Sequence, residues 1–398
     1  MNLVESHIVN KTRELDELTF KTKNLYNKVN YMIRQEFIKN GNWLRKFYLF
    51  NICKDLDEYR ALPTRVSRCV IRTLDANWKG FFEANKAYKL NKSSFKGRPH
   101  LPKYLDKNGK FTAIFIDGGV LRKNKKDGFI GLSSLNQQIK VKNIDKKIIE
   151  VHVKPYYGKY KIDIRYEEPN VVLKENNNNY CSIDLGVNNL MTITSNKMGI
   201  NPIIINGRPL KSINQYYNKK LIKLKSLNAR KQIERLCLKR NNKINTYLHQ
   251  SSRYLIDYCS KNDINTIIIG HNINWKQKTN MSKKNNQNFV SIPFDNLIKM
   301  IQYKGLLKGI TVLYQEESYT SKASFLNQDY MPVYGDTYKG CFSGYRYRRG
   351  LYKIRGKKIF INADVNGSYN ILRKAVPNVF NNGIEGVAVH PNLMVTLN

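Results

Sequence analysis

Four carboxylates carry the chemistry this sequence could do. The chain has 69 Lys and Arg against 30 Asp and Glu. Yet Glu316 and Glu317 stand side by side in ITVLYQEES, Asp184 follows a strand-like run in SIDLG, and Asp364 opens NADVNGSYNIL. Carboxylates that converge hold Mg²⁺, a hard cation that takes oxygen ligands together with water and phosphate. Two such ions about 4 Å apart hydrolyse phosphodiesters, one activating water and one stabilising the leaving oxygen. Each acid alone has an ordinary explanation. Asp184 precedes a glycine turn, Asp364 sits where acids and Asn cap helices, and Glu316 and Glu317 could be a solvated strand end among lysines. Their value is as a set, so the elements that position them decide the reading.

Residues from about 12 to 90 carry apolar residues at helical spacing with basic residues between, as in LYNKVNYMIRQEFI and LPTRVSRCVIRTLDANWKGFF. KSSFKGRPHLPKY breaks that pattern with Gly and two Pro and reads as a loop suited to a phosphate backbone, with Lys96, Arg98 and Lys103 as its cations. From Thr112 to Glu168 the period becomes two, and Tyr157-Gly158 closes a hairpin. Long antiparallel strands around a helical block predict a small β-barrel with a helical lobe inserted at about 12–95. KENNNN is a linker by composition, which puts a domain boundary at 178/179. Beyond it the order is three strands, a long basic helical stretch from Leu210 to about Lys261, a strand (INTIIIG), a helix, a strand ending at Glu316 and Glu317, and a final helix bearing Asp364, Asn366 and Asn370. Leu221, Leu224, Ile233, Leu236, Ile244, Leu248 and Leu255 are the expected core positions of the long stretch. This is the order of an RNase H-like α/β domain over 179–375, with a tail at 376–398.

Composition bounds the partners. A formal charge of +39, with 26 Tyr and 16 Phe, fits nucleic acid, whose backbone releases counterions to lysine and arginine and whose bases stack on rings. The six cysteines are scattered with no C-x-x-C pair, so neither a disulfide framework nor a zinc site is expected. MNLVESHIVNKTREL is too polar for a secretory segment, and no apolar run approaches the roughly 18 residues of a membrane span. A cytoplasmic, nucleoid-associated protein is the expectation.

IDLGVNNLMTI, NNKINTYLHQSSRYLIDYC, SYTSKASF and NADVNGSYNIL resemble the TnpB (OrfB) proteins of small insertion sequences, relatives of the type V CRISPR effectors, and the likeness runs over nearly the whole chain. The resemblance implies an RNA-guided DNA endonuclease. It implies a RuvC-like nuclease domain preceded by a wedge-like barrel with a helical recognition lobe, a guide RNA from the transposon end, and target double-stranded DNA beside a short adjacent motif. Two departures matter. The family's usual glutamate after the fourth strand is here Gly270, followed by His271 and Asn272. The usual four-cysteine zinc ribbon is replaced, at about 323–358, by a stretch with the single cysteine Cys341 and a basic aromatic run that includes Arg346, Arg348, Arg349 and Arg355. No zinc is predicted. Because neighbouring parallel strands lie about 4.8 Å apart, a glutamate from the fifth strand could reach the place of the missing one. Successive side chains point to opposite faces, so one of Glu317 and Glu316 joins Asp184 and Asp364 on two Mg²⁺, with Glu317 the first choice. Ser321 and Lys322 then lie near the scissile phosphate or the strand being threaded, and His249 and His271 are structural or contact the backbone. The alternative is a nuclease-dead, RNA-guided DNA binder that represses transcription; a transposase that joins ends is a third reading.

Overall fold

A computed structural model gives the fold and describes residues 1–398 except 117, 125–126, 170, 273–281, 334, 336–339, 382, 384–386, 392 and 398. Part of the expected 323–358 insertion and of the 376–398 tail therefore lies outside the described residues. The chain divides into two compact units, Met1–Asn170 and Val171–Asn398. The division precedes the expected 178/179 boundary because the Asn-rich connector is bonded into the second unit: Lys174 N donates to Gly309 O (2.8 Å) and Asn177 Nδ2 to Asp263 O (2.8 Å).

The first unit begins with a strand, β1 (Asn2–Val9), that the sequence reading did not anticipate. Four helices follow, α1 (Arg13–Asn40), α2 (Lys46–Ile52), α3 (Asp57–Arg60) and α4 (Thr64–Leu90). Then come six strands: β2 (Ala113–Ile116), β3 (Val120–Asn124), β4 (Phe129–Leu132), β5 (Gln138–Lys140), β6 (Ile148–Tyr156) and β7 (Lys159–Glu167). The ladders form two antiparallel sheets, β1-β7-β6-β2 and β3-β4-β5, with the helical block between β1 and β2 in the chain. Thr12 caps α1 by accepting from Leu15 N, and Gly41 ends it in the left-handed conformation (φ 68°). Leu15, Leu18, Leu25, Val29 and Ile33 of α1 are buried in one core with Val66, Val70, Leu74 and Trp78 of α4. Asn30 adds a polar lock, accepting from Trp78 Nε1 at 3.0 Å. The same α1 face pins the expected loop: Asn27 bonds both N and O of Leu105, and Asn30 and Arg34 donate to Pro102 O.

The second unit is built on a six-stranded sheet. Its elements are β8 (Tyr180–Leu185), β9 (Asn189–Ser195), β10 (Ile203–Asn206), α5 (Arg208–Ser226), α6 (Arg230–Lys261), β11 (Thr266–Gly270), α7 (Lys283–Ser291), α8 (Phe294–Leu307), β12 (Thr311–Gln315), β13 (Gly344–Arg348), β14 (Leu351–Ile354), β15 (Phe360–Asn362), α9 (Ala363–Ala375) and β16 (Leu393–Val395). The strand order is β12-β11-β8-β9-β10-β16. β8, β9 and β10 are antiparallel, whereas β11 runs parallel to both β8 and β12. On one side Ile183, Leu248, Leu255, Ile267, Leu297 and Ile301 belong to one buried core. On the other, Val365, Tyr369 and Leu372 of α9 pack with Tyr180 and Ile268.

Three features differ from the sequence reading. The stretch from Leu210 to Lys261 is two helices, broken at Asn228, which takes a positive φ of 49°. Ile244, Leu248 and Leu255 are buried, but Leu221, Leu224, Ile233 and Leu236 are only half-buried, because near the break α5 and α6 have chiefly each other to pack against. Residues 344–354 of the insertion form a hairpin, β13-β14, which β15 extends to three strands, and the tail adds β16 beside β10. Among the described residues, no helix is long and apolar enough to cross a membrane.

Candidate active site

Strand register brings the acids to one end of the sheet. Ile183 of β8 pairs with Ile269 of β11, and Gly270 pairs with Gln315 of β12. Asp184, Gly270 and the residues after Gln315 are therefore side by side at the carboxyl ends of three parallel strands, where open α/β sheets bind ligands. α9 starts at this end too. Asn362 caps it, accepting from Asp364 N (3.0 Å) and Val365 N (3.1 Å). One turn on, Gly367 faces Asp184; a Cβ there would stand 3.0 Å from Asp184 Oδ2.

The two glutamates part company after β12. Glu316 accepts from Ser318 N (2.6 Å) and pairs with Lys374. Burial alone would raise its carboxyl, but those bonds outweigh burial and hold it below the ordinary range. Glu317 leans over Gly270: a Cβ at 270 would lie 2.5 Å from Glu317 Oε1 and 2.5 Å from Ile371 Cδ1. The space a side chain at 270 would need is filled by the carboxylate of the neighbouring strand. Asn272 Oδ1 accepts from Glu317 N (3.0 Å), and Thr320 Oγ1 donates to Glu317 O (2.8 Å), so the backbone is held on both sides. Glu317 Oε1 is buried and, among the described residues, has no hydrogen-bond partner.

The electrostatics agree with the geometry. Asp184 keeps some accessible surface but is closely ringed by protein. Burial first, then the charges of Glu317 and Asp364, push its carboxyl well above the ordinary range, against the pull of Arg346. Burial, then Glu316, raise Glu317 to about 7. Asp364 is tied down: Asn189 Nδ2 donates to its Oδ2 (2.7 Å) and Arg346 Nη2 to its Oδ1 (3.1 Å). A carboxyl raised by two neighbouring carboxylates, beside a bare buried oxygen, forms a site that favours a cation, and an all-oxygen donor set suits Mg²⁺. In the present arrangement, among the described residues, no three His, Cys, Asp or Glu side chains stand close enough to ligate one ion.

A pH dependence follows. Glu317 rises from an ordinary 4.5 to about 7 in the fold, so between those values the folded protein binds more protons than the unfolded chain. Stability then falls as pH rises through that window. Without divalent cations, Glu317 should account for at most about 3 kcal/mol of loss between pH 5 and 8. Urea midpoints in EDTA should drop across this range for wild type, change less for Glu317→Gln, and recover with Mg²⁺ at the upper end. Parallel wild-type and Glu317→Gln curves would contradict the assignment.

The other expected site residues are placed as follows. Lys322 is exposed beside Tyr319, in a turn held by α9: Asn370 Nδ2 donates to Thr320 O (2.9 Å) and Ala323 O (2.7 Å), and Asn366 Nδ2 to Ala323 O (2.8 Å). Arg348 lies over Tyr347 and Arg355 over Tyr345, at 5.1 and 5.3 Å, and Arg349 is exposed at the hairpin turn. Arg346 is set apart from them by its bond to Asp364. Lys96, Arg98 and Lys103 are exposed on the pinned segment of the first unit. Sequence reasoning missed the supporting roles of Asn189, Asn272 and Gly367; the only signal was an Asn or Gly close to each acid or to its strand end.

Residues 163–276 match the OrfB family of IS605, described as "Probable transposase", and residues 294–371 match "Cas12f1-like, TNB domain". No curated protein matches the chain. A cryo-EM structure of a Cas12f1–sgRNA–target DNA complex aligns over 89% of this chain and 81% of that one, at 15% identity and a TM-score of 0.57, which is a likeness of fold. A CRISPR-Cas12f ternary complex aligns over 90% of this chain and 80% of that one, at 14% identity and a TM-score of 0.39, too low to add to the fold argument. The two family matches, together with the mixed α/β multidomain fold, support a TnpB-like family for this chain.

Proposed function

We propose that the protein is an RNA-guided DNA endonuclease of a transposon, cutting target DNA next to a short adjacent motif. The second unit is read as a RuvC-like nuclease domain, and the first as a wedge-like barrel module carrying a helical recognition lobe. The observation that carries this reading is Glu317 filling the space above Gly270 beside Asp184. A DNA binder with no metal to hold gains nothing from a bare carboxylate oxygen buried next to a second raised carboxyl. That is costly in itself, and it would repel phosphate.

Asp184, Glu317 and Asp364 would hold Mg²⁺, which when bound would activate water and stabilise the charge on the departing oxygen. Glu316, committed to Lys374, falls out of the ligand set. Asn272 orients Glu317 through its backbone N–H, and Asn189 and Arg346 orient Asp364. The guanidinium of Arg346 is also placed to meet a phosphate drawn to the same acids. The turn at Lys322 and the rings and cations of β13–β14 offer stacking and charge to a strand passing the site. The exposed cations at 96–103, with the overall charge of +39, offer the same to guide RNA and duplex backbone.

The test is cleavage of a plasmid with a matched target by the protein and its co-purifying RNA, in Mg²⁺ and in EDTA. Linear or nicked product in Mg²⁺ alone supports the proposal. Target binding without cleavage in any divalent ion overturns it in favour of the guided binder, the reading that the absent acid at Gly270 favours. Joined rather than cut ends would point to a transposase.

A further inference from the structure

Arg346 reaches Asp364 from a hairpin whose β14 edge is tied to the start of α9 by its pairing with β15 and by Ala363 N donating to Gly350 O (2.9 Å). The side chain that clips its β13 edge is Asp329. Its Oδ2 accepts from Ser324 N (2.8 Å) and Ser343 N (2.9 Å), and its Oδ1 accepts from Ser343 Oγ (2.6 Å). Its own N–H donates to Ser324 O (3.1 Å), and its carbonyl accepts from Arg373 Nη2 of α9 (3.2 Å). One side chain thus joins the two ends of the segment between the turn that follows Glu317 and the first strand of the hairpin. Ser343 immediately precedes β13, and its carbonyl accepts from Arg355 N just beyond β14 (2.9 Å). The clip therefore holds both feet of the hairpin, and Arg373 ties it to the helix whose first turn carries Asp364.

We propose that Asp329 is a positioning residue: a carboxylate clip that fixes the register of β13 so that Arg346, and not a neighbouring tyrosine, meets Asp364. Along β13, Arg346 lies between Tyr345 and Tyr347 and pairs with Tyr352. Side chains alternate faces, so a slip of one residue would put a tyrosine where the guanidinium stands. Gly344 makes the register tight, since a Cβ there would run into the Tyr352 ring, and Tyr352 Oη is bonded to Lys322 O (2.8 Å). That contact holds the middle of the hairpin, while Asp329 holds its ends. The role depends on where the carboxylate oxygens lie, not on charge. Asn fits the same place, with its oxygen taking the two N–H bonds and its amide donating to Ser343 Oγ.

The inference rests on reading the carboxylates as the nuclease centre, so its test has an arm independent of cleavage. Hydrogen exchange of the amides at 344–355 should be at least about tenfold faster in Asp329→Ala than in wild type, with α9 unchanged. Unchanged exchange in the hairpin overturns the proposal, and so does equal acceleration in α9. In the second arm, Asp329→Ala should slow Mg²⁺-dependent cleavage about 10²-fold without weakening target binding, and Asp329→Asn should recover most of it. In an Arg346→Ala background the same change should cost less than about threefold, because coupled residues are not additive. A full loss in that background would mean that Asp329 acts elsewhere. If wild type does not cut at all, the nuclease reading fails, and the exchange arm alone decides whether Asp329 sets the hairpin.

Discussion

Glu317→Ala is expected to reduce Mg²⁺-dependent cleavage by about 10³-fold or more, and Glu316→Ala to leave it within about fivefold of wild type. The first figure corresponds to losing several kcal/mol of charge stabilisation around the reacting phosphate. The second reflects a carboxylate whose bonds go to Lys374 and Ser318, a pair worth about 1 kcal/mol to the fold. The two residues are adjacent and carry the same side chain, so a general effect of charge on DNA binding would move both variants together. Single-turnover cleavage separates them, with target binding measured in parallel to show that the guided complex still forms. Asp184→Ala and Asp364→Ala should match Glu317→Ala. The reverse ranking of the two glutamates would mean that the strand end turns over in the working complex and that the contact across Gly270 is not the active arrangement.

The strand and helix order of the second unit could be read from the sequence because its signals are local. SIDLG, INTIIIG and NADVNGSYNIL each announce an element and its end through a β-rich run stopped by glycine or an Asn-Asp cap. The candidate acids could be named for the same reason. What remained open was parity. Choosing between Glu316 and Glu317 requires knowing that the ladder ends at Gln315 and that Gly270 lies opposite it, and register is a property of paired strands. β1 was missed because NLVESHIV alternates half-buried and exposed positions with charged and polar residues among the former, so its pairing with β7 is visible only from β7. The outer part of the α5–α6 hairpin shows the opposite failure: Leu221, Leu224, Ile233 and Leu236 have the spacing of a core without a third layer to complete one. Arg346 was grouped with its basic neighbours because nothing in YRYRR distinguishes one arginine from the next. Its bond to Asp364 depends on the register of a sheet where the sequence reading saw only a basic aromatic run.

Gly270→Ala should lose cleavage about 10²-fold or more while the protein stays folded, which turns the missing acid into a statement about packing. The glycine is not needed for its backbone, which does not lie in the left-handed region. It is needed because the added carbon would stand 2.5 Å from Glu317 Oε1 and 2.5 Å from Ile371 Cδ1. Both atoms are the far ends of flexible side chains, so the chain can yield at a cost of about 1–3 kcal/mol. The yielding moves the carboxylate away from Asp184. A thermal midpoint lowered by a few degrees, together with near-complete loss of cleavage and intact target binding, is the expected pattern. Wild-type cleavage by Gly270→Ala would show that Glu317 does not work from this position. The reciprocal change sharpens the argument. Gly270→Glu alone should be as inactive as Gly270→Ala, because two carboxylates would compete for one space. Combined with Glu317→Gly, which empties that space, the glutamate at 270 can extend from the end of β11 toward Asp184 and should restore cleavage above the level of either single variant. Strand β11 and strand β12 are then alternative supports for one carboxylate position, and the glycine is what makes room for the acid supplied from β12.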